Sequence, residues 1–154
     1  MNVNSRESDG YGFEQEVCGC AFINVDPKHR RQNGIKFKNA VKYVIAIQRR
    51  LGCNPCRPKT RLAQAVFNRI QSRLRLAGHK EKLCFFVCVG TCMDCLGVDC
   101  FFKCGNRIVT IDLYSGRNKR KSGNVRADIV LKRADFIHDK HYQIADRIAE
   151  MLLA

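Results

Sequence analysis

A chain of 154 residues with 45% hydrophobic content can bury one core and is most economically one domain. Its formal charge of +14 favours an anionic partner. No segment approaches the roughly 18 apolar residues needed to span a bilayer, which argues against a membrane protein.

The charge is unevenly placed. Met1 to Pro27 sums to −4, Lys28 to Lys82 to +15, and the remainder to +3. A block that basic attracts a polyanion, and nucleic acid, DNA or RNA, is the commonest one. Met1 is followed by polar and acidic residues rather than a secretory signal of the usual form. Ten cysteines in such a chain point to a reducing intracellular compartment, cytoplasmic or nucleoid/nuclear, with thiols or metal ligands rather than disulfides.

Residues 1–33 read as a flexible N-terminal lead, polar and weakly periodic, with at most a short strand at Cys20 to Val25. Residues 34–154 read as a single α+β domain. Asn33-Gly34 is a turn signal, after which Phe37, Ala40, Val41, Val44, Ile45 and Leu51 fall at helical spacing, broken by Gln48. Lys38, Lys42 and Arg49 take the other face, and Gly52 is a plausible stop. Cys53-Asn54-Pro55-Cys56-Arg57-Pro58 is a rigid connector, since its prolines exclude a continuing helix. Thr60 can cap a second helix running to about Ala77, with Leu62, Val66, Ile70 and Leu74 at i+4 spacing and arginines over much of the rest. Strands follow at Leu83 to Val89, Val98 to Lys103, Arg107 to Tyr114 and Val125 to Lys132, with Cys92 to Cys95 in a loop and Ser115 to Asn124 a basic loop. A closing helix spans His138 to Leu153, with Ile144, Ala145, Ile148 and Leu152 on one face. The order helix, helix, four strands, helix predicts an α+β domain with a mainly antiparallel sheet.

The sharpest chemistry lies in the hairpin VDCFFKCGNRIVTIDLY. Asp99 begins one apolar strand and Asp112 ends the next, with Gly105-Asn106 between them. In an antiparallel pair joined by so short a turn, positions near the two open ends lie side by side. Two aspartates held together repel unless a cation or a shared proton sits between them. Mg²⁺ takes oxygen ligands, typically one or two carboxylates with water and substrate, and phosphodiester hydrolysis uses such an ion to activate water and offset charge on the phosphate. Lys119 or Lys121, on the next element, can act electrostatically.

Gly97-Val98-Asp99-Cys100-Phe101-Phe102 followed by Val109-Thr110-Ile111-Asp112-Leu113-Tyr114 resembles the core of the PD-(D/E)XK nuclease superfamily. In that superfamily a strand-borne acid is followed, across a hairpin, by an acid, one residue and a lysine. Asp99 matches the first acid and Asp112 the second, whereas Tyr114 stands where the lysine belongs. Some members draw the lysine from a later position, which makes Lys119 the candidate with Lys121 behind it. The family also places a helix after the third strand, where this chain has a ten-residue loop. The resemblance spans about Leu83 to Lys132 and implies a restriction-endonuclease-like core with Mg²⁺-dependent cleavage of nucleic acid, or a binding domain derived from one.

The cysteines supply a competing reading. Cys53-x-x-Cys56 and Cys92-x-x-Cys95 have the gap of a zinc knuckle, and glycine and proline surround both pairs. Together they would offer Zn²⁺ four thiolates, although 35 residues intervene, more than in the usual ribbon. Cys84, Cys88, Cys100 and Cys104 alternate with Phe and Val, as small buried residues do. His138 and His141 are an i+3 pair at the last helix and read as solvated. Glu14 and Glu16 read as surface charges more readily than as further metal ligands.

The expectation is a nucleic-acid-binding protein, a metal-dependent nuclease or a derivative of one. Asp99, Asp112 and Lys119 form its catalytic set, and Arg57, Arg61, Arg69, Arg73, Arg117, Arg120 and Lys121 track the backbone. The rival is a non-enzymatic zinc-stabilised binding module in which the cysteine pairs fold the chain.

Overall fold

A computed structural model describes residues 5–19, 36–114 and 127–154. The described chain is α+β: a four-stranded mixed sheet with helices on both faces. The helices are α1 (Ser5–Cys18), α2 (Phe37–Arg50), α3 (Arg61–Leu76), the one-turn α4 (Cys92–Cys95) and α5 (His141–Leu153). The strands are β1 (Leu83–Val87), β2 (Cys100–Cys104), β3 (Arg107–Tyr114) and β4 (Ile129–Lys132), and a 3₁₀ turn at Arg133–Phe136 precedes α5.

The strands lie in sequence order, and β1–β2 and β2–β3 are antiparallel. The sheet is thus mainly antiparallel, as expected, with one exception: β4 runs parallel to β3, with Ile111 opposite Ile129 and Leu113 opposite Leu131. A parallel neighbour demands that the chain cross back along the sheet before β4 begins. Residues 115–126, which include the basic loop and the start of the fourth strand expected from the sequence, lie outside the described residues.

Alternation along the strands splits the core into two layers. On one face Phe85, Cys100, Phe102, Val109, Ile111 and Leu113 meet Ala63, Val66, Phe67, Ile70 and Leu74 of α3 and Ile144, Ala145, Ile148 and Leu152 of α5. On the other, Phe86, Cys88 and Phe101 pack with Ala40, Val41 and Val44 of α2 and with Met93 of α4. Phe86 stacks on Phe101 at 5.0 Å and Phe85 meets Phe102 at 4.9 Å with the rings tilted by 41°, so each layer contains one cross-strand aromatic pair.

Two expectations need correction. The supposed flexible lead carries α1, whose last two turns put Phe13, Val17 and Cys18 into the core. Thr60 secures it: its hydroxyl donates to Val17 O at 2.7 Å and accepts from Ala63 N at 3.1 Å, so one side chain caps α3 and anchors the end of α1. The strand expected at Cys20 to Val25 lies outside the described residues. Cys92 to Cys95, expected as loop, is a helical turn capped by the Thr91 hydroxyl, which accepts from Met93 N at 3.2 Å. Gln48, the residue that broke the apolar spacing of α2, is 4% exposed because its amide oxygen accepts the Val87 N–H of β1.

Candidate functional site

The short helix α4 delivers Asp99 to the mouth of the hairpin. Asp94 accepts from Gly90 N at 2.9 Å, and Gly97 turns the chain at φ +81° into buried Val98. Asp99 is then fixed on both sides: its N–H donates to Ile111 O at 2.8 Å, and its carbonyl accepts from Cys88 N at 2.7 Å. Its carboxylate Oδ2 accepts from Leu113 N at 2.7 Å, so the side chain extends the β2–β3 ladder one step past the last backbone pairing.

Asp112 lies on β3, in the interior of the sheet, opposite Val130 of β4. The β2–β3 register ends with Cys100 opposite Ile111, and Asp99 and Asp112 each lie one residue beyond that pair towards the open end of the hairpin. Ile111 and Leu113 face the α3–α5 layer, so Asp112 between them belongs to the opposite face. Asp99 and Asp112 are buried, at 3% and 5% exposure. The hairpin thus carries two buried acids at its open end.

Thiols crowd the same end of β2. Cys18 is pushed well above the usual thiol range by its hydrogen bond with Cys100 and by burial, with the charges of Asp99 and Glu14 adding to it. Burial is the first cause of a comparable rise at Cys88, again with Asp99 contributing. Glu14 therefore adds negative charge near this region from α1, whereas Glu16 is exposed and accepts from Arg133 at 2.9 Å through both carboxylate oxygens.

The remaining expected residues divide. Lys119, Arg117, Arg120 and Lys121 lie outside the described residues. Tyr114, at the lysine position of the family resembled, shares the face of Asp112 two residues further along β3. Arg57 and Arg61 are exposed. Arg69 and Arg73 are committed to α5: their guanidinium groups lie 2.9 and 3.4 Å from Asp146 Oδ1. Arg69 also lies over the Tyr142 ring at 5.6 Å.

The four proposed zinc thiolates do not converge. Cys56 sits at the start of β1, its thiol donating to Leu83 O at 3.8 Å and contacting Cys84, while Cys92 and Cys95 ride on α4 past the far end of that strand. His138 is exposed, and His141 packs against Tyr142 at 4.3 Å. Among the described residues, the three side chains of metal-ligating type whose ligand atoms gather within 4.8 Å are His79, Glu81 and Cys104, a set the sequence reading did not single out. Its one sequence signal is weak: Cys104 immediately precedes the hairpin turn, and the strand before it starts just after His-x-Glu.

No protein-family model, curated protein or solved structure matches this chain. Among the described residues no helix is long and apolar enough to cross a membrane.

Proposed function

We propose that this protein binds nucleic acid and cleaves its phosphodiester backbone with a divalent metal held by Asp99 and Asp112. The observation that supports the reading is that two buried carboxylates, Asp99 and Asp112, lie one residue beyond the last β2–β3 pair in a strongly basic chain. The donor set suits Mg²⁺, which takes one or two carboxylates and completes its shell with water and phosphate oxygen. When bound, such an ion lowers the pKa of a coordinated water and offsets charge developing on the phosphate.

The chain's own residues do the rest. The Leu113 N–H bond orients one oxygen of Asp99, and its backbone bonds to Ile111 and Cys88 fix the main chain that carries it. Asp112, on a strand paired on both sides, has little freedom to shift. Arg57 and Arg61 supply exposed positive charge for phosphates, and Lys119 supplies the electrostatic role that Tyr114 lacks. The four-strand sheet in its order β1-β2-β3-β4 is compatible with the restriction-endonuclease-like core implied by the resemblance.

A second reading, binding without cleavage, is favoured by one observation: Tyr114 occupies the lysine position of the family resembled, two residues past Asp112 on β3. A cleavage assay on single- and double-stranded DNA and RNA, with and without Mg²⁺, separates the two. Asp112→Asn should lower cleavage at least about a hundredfold, since a metal contributes several kcal/mol and each 1.4 kcal/mol is tenfold, while leaving binding in place. Full cleavage by Asp112→Asn eliminates the nuclease reading. Absence of nucleic-acid affinity even at low salt eliminates both.

A further inference from the structure

We propose that His79, Glu81 and Cys104 form a zinc site at the closed end of the hairpin, remote from the carboxylate pair. His79 Nδ1 lies 3.8 Å from Cys104 Sγ and 3.6 Å from Glu81 Oε2. With Zn–N about 2.0–2.1 Å and Zn–S about 2.3 Å, neighbouring ligands of a tetrahedron lie about 3.3–3.6 Å apart. The two distances from His79 are therefore within a few tenths of an ångström of the edges of such a tetrahedron, and all three ligand atoms lie within 4.8 Å of one another. Imidazole, thiolate and carboxylate are the ligand types zinc takes.

The backbone places two of the three ligands without metal. Helix α3 ends in a Schellman turn: Gly78 sits at φ +79°, and His79 N donates to Leu74 O at 2.9 Å, which fixes the residue bearing the imidazole. Cys104 is held by both its neighbours, opposite Leu83 of β1 and Arg107 of β3, and is 1% exposed. Glu81 is the adjustable ligand. Its side chain is 58% exposed, and it lies against Gly105, where a Cβ would collide with its carboxylate. The hairpin-turn glycine, at φ +59°, thus makes both the turn and the room for this ligand.

Three protein ligands leave a fourth tetrahedral position for solvent on the side of the exposed Glu81. The ion would tie the α3–β1 connection to the β2–β3 turn, and the Cys104 thiol would release its proton to solvent as it binds. The site is independent of the nuclease reading and would stand if that reading fell.

The test is titration of the reduced, metal-free full chain with Zn²⁺ against a competing chelator, and with Co²⁺ followed by absorption. The expected result is one equivalent bound, with tetrahedral cobalt bands and a thiolate-to-cobalt charge-transfer band. His79→Gln should weaken binding by at least the ~10–100-fold that even an outer-shell change costs, and Cys104→Ser should abolish the charge-transfer band. Because Cys104 is buried, melting curves of both variants establish that they fold. His79→Gln, on a half-exposed residue, carries the conclusion where Cys104→Ser does not fold. Cys53→Ser/Cys56→Ser should leave affinity and spectrum unchanged. Zinc affinity unaltered in His79→Gln, or a cobalt spectrum lost in the Cys53/Cys56 double variant, overturns the proposal, as does a wild-type chain that binds neither metal.

Discussion

A carboxylate at a strand end normally points into water, but Asp99 accepts an N–H from the neighbouring strand and stays 3% exposed. That contact separates its two roles, because an asparagine oxygen can still take the Leu113 N–H while lacking the negative charge. Asp99→Asn therefore tests charge at nearly constant hydrogen bonding, whereas Asp99→Ala leaves a buried N–H without its acceptor and should cost about 1–3 kcal/mol of stability. The cysteines show the same dependence on surroundings. Cys95 is exposed at the end of α4, while Cys18 and Cys88 are buried with their thiols held protonated, Cys18 chiefly by its bond with Cys100 and Cys88 chiefly by burial. The thiolate is the nucleophile, so brief alkylation near neutral pH should label Cys95 first and spare Cys18 and Cys88 until the chain is unfolded. Peptide mass spectrometry reads the order, and Cys88 reacting as fast as Cys95 would refute it.

Helices α3 and α5 form the main packed pair of the sheet's outer layer, and two kinds of force join them. Ile148, fully buried against the α3 stripe, should cost about 2–5 kcal/mol when cut to Ala. The Arg69–Asp146–Arg73 link above it is solvent-facing and weaker. The hydrogen bond from Arg69 is the first cause holding the Asp146 carboxyl below its ordinary value of 3.8. A lowered folded-state pKa means the contribution is complete above that ordinary value and lost as pH falls through the folded one. Melting temperature measured from pH 6 downward should fall less steeply in Asp146→Asn than in wild type below about pH 4; parallel curves would show that the link adds nothing. The sequence revealed α2, α3 and α5 because their buried residues recur every three or four positions along a whole helix. It hid α1, where Phe13, Val17 and Cys18 are buried in the last two turns behind a polar segment. It revealed the β2–β3 hairpin because a tight turn fixes a register locally. It could not tell that β4 runs parallel, since Ile129 and Leu131 alternate inward in either direction. The His79–Glu81–Cys104 group was equally out of reach, because it depends on β1 meeting β2 across the whole α4 connection.

At the scale of the molecule, the proposed binding of nucleic acid should be governed by charge. Neutralising phosphates releases counterions, so log K against log salt should fall with a slope near −0.9 per duplex phosphate contacted. Arg57→Ala/Arg61→Ala should weaken binding alike for all sequences and flatten that slope by up to about 2. This pair is a cleaner probe than Arg69 and Arg73, whose removal also unties α5. Fluorescence anisotropy across a salt series reads the slope, and an affinity indifferent to salt would refute the electrostatic account. The same sheet also has two borders, and one of them is closed. On β1 the outward N–H groups of Phe85 and Val87 are already taken, by Pro55 O at 2.8 Å and by the Gln48 amide. The other border, β4, offers four residues, with exposed Lys132 at its end. Copies of the chain crowded along one strand of nucleic acid would meet at high local concentration, the condition under which bare strand edges stack into fibrils. A border sealed by its own connector lets them sit side by side and remain separate molecules.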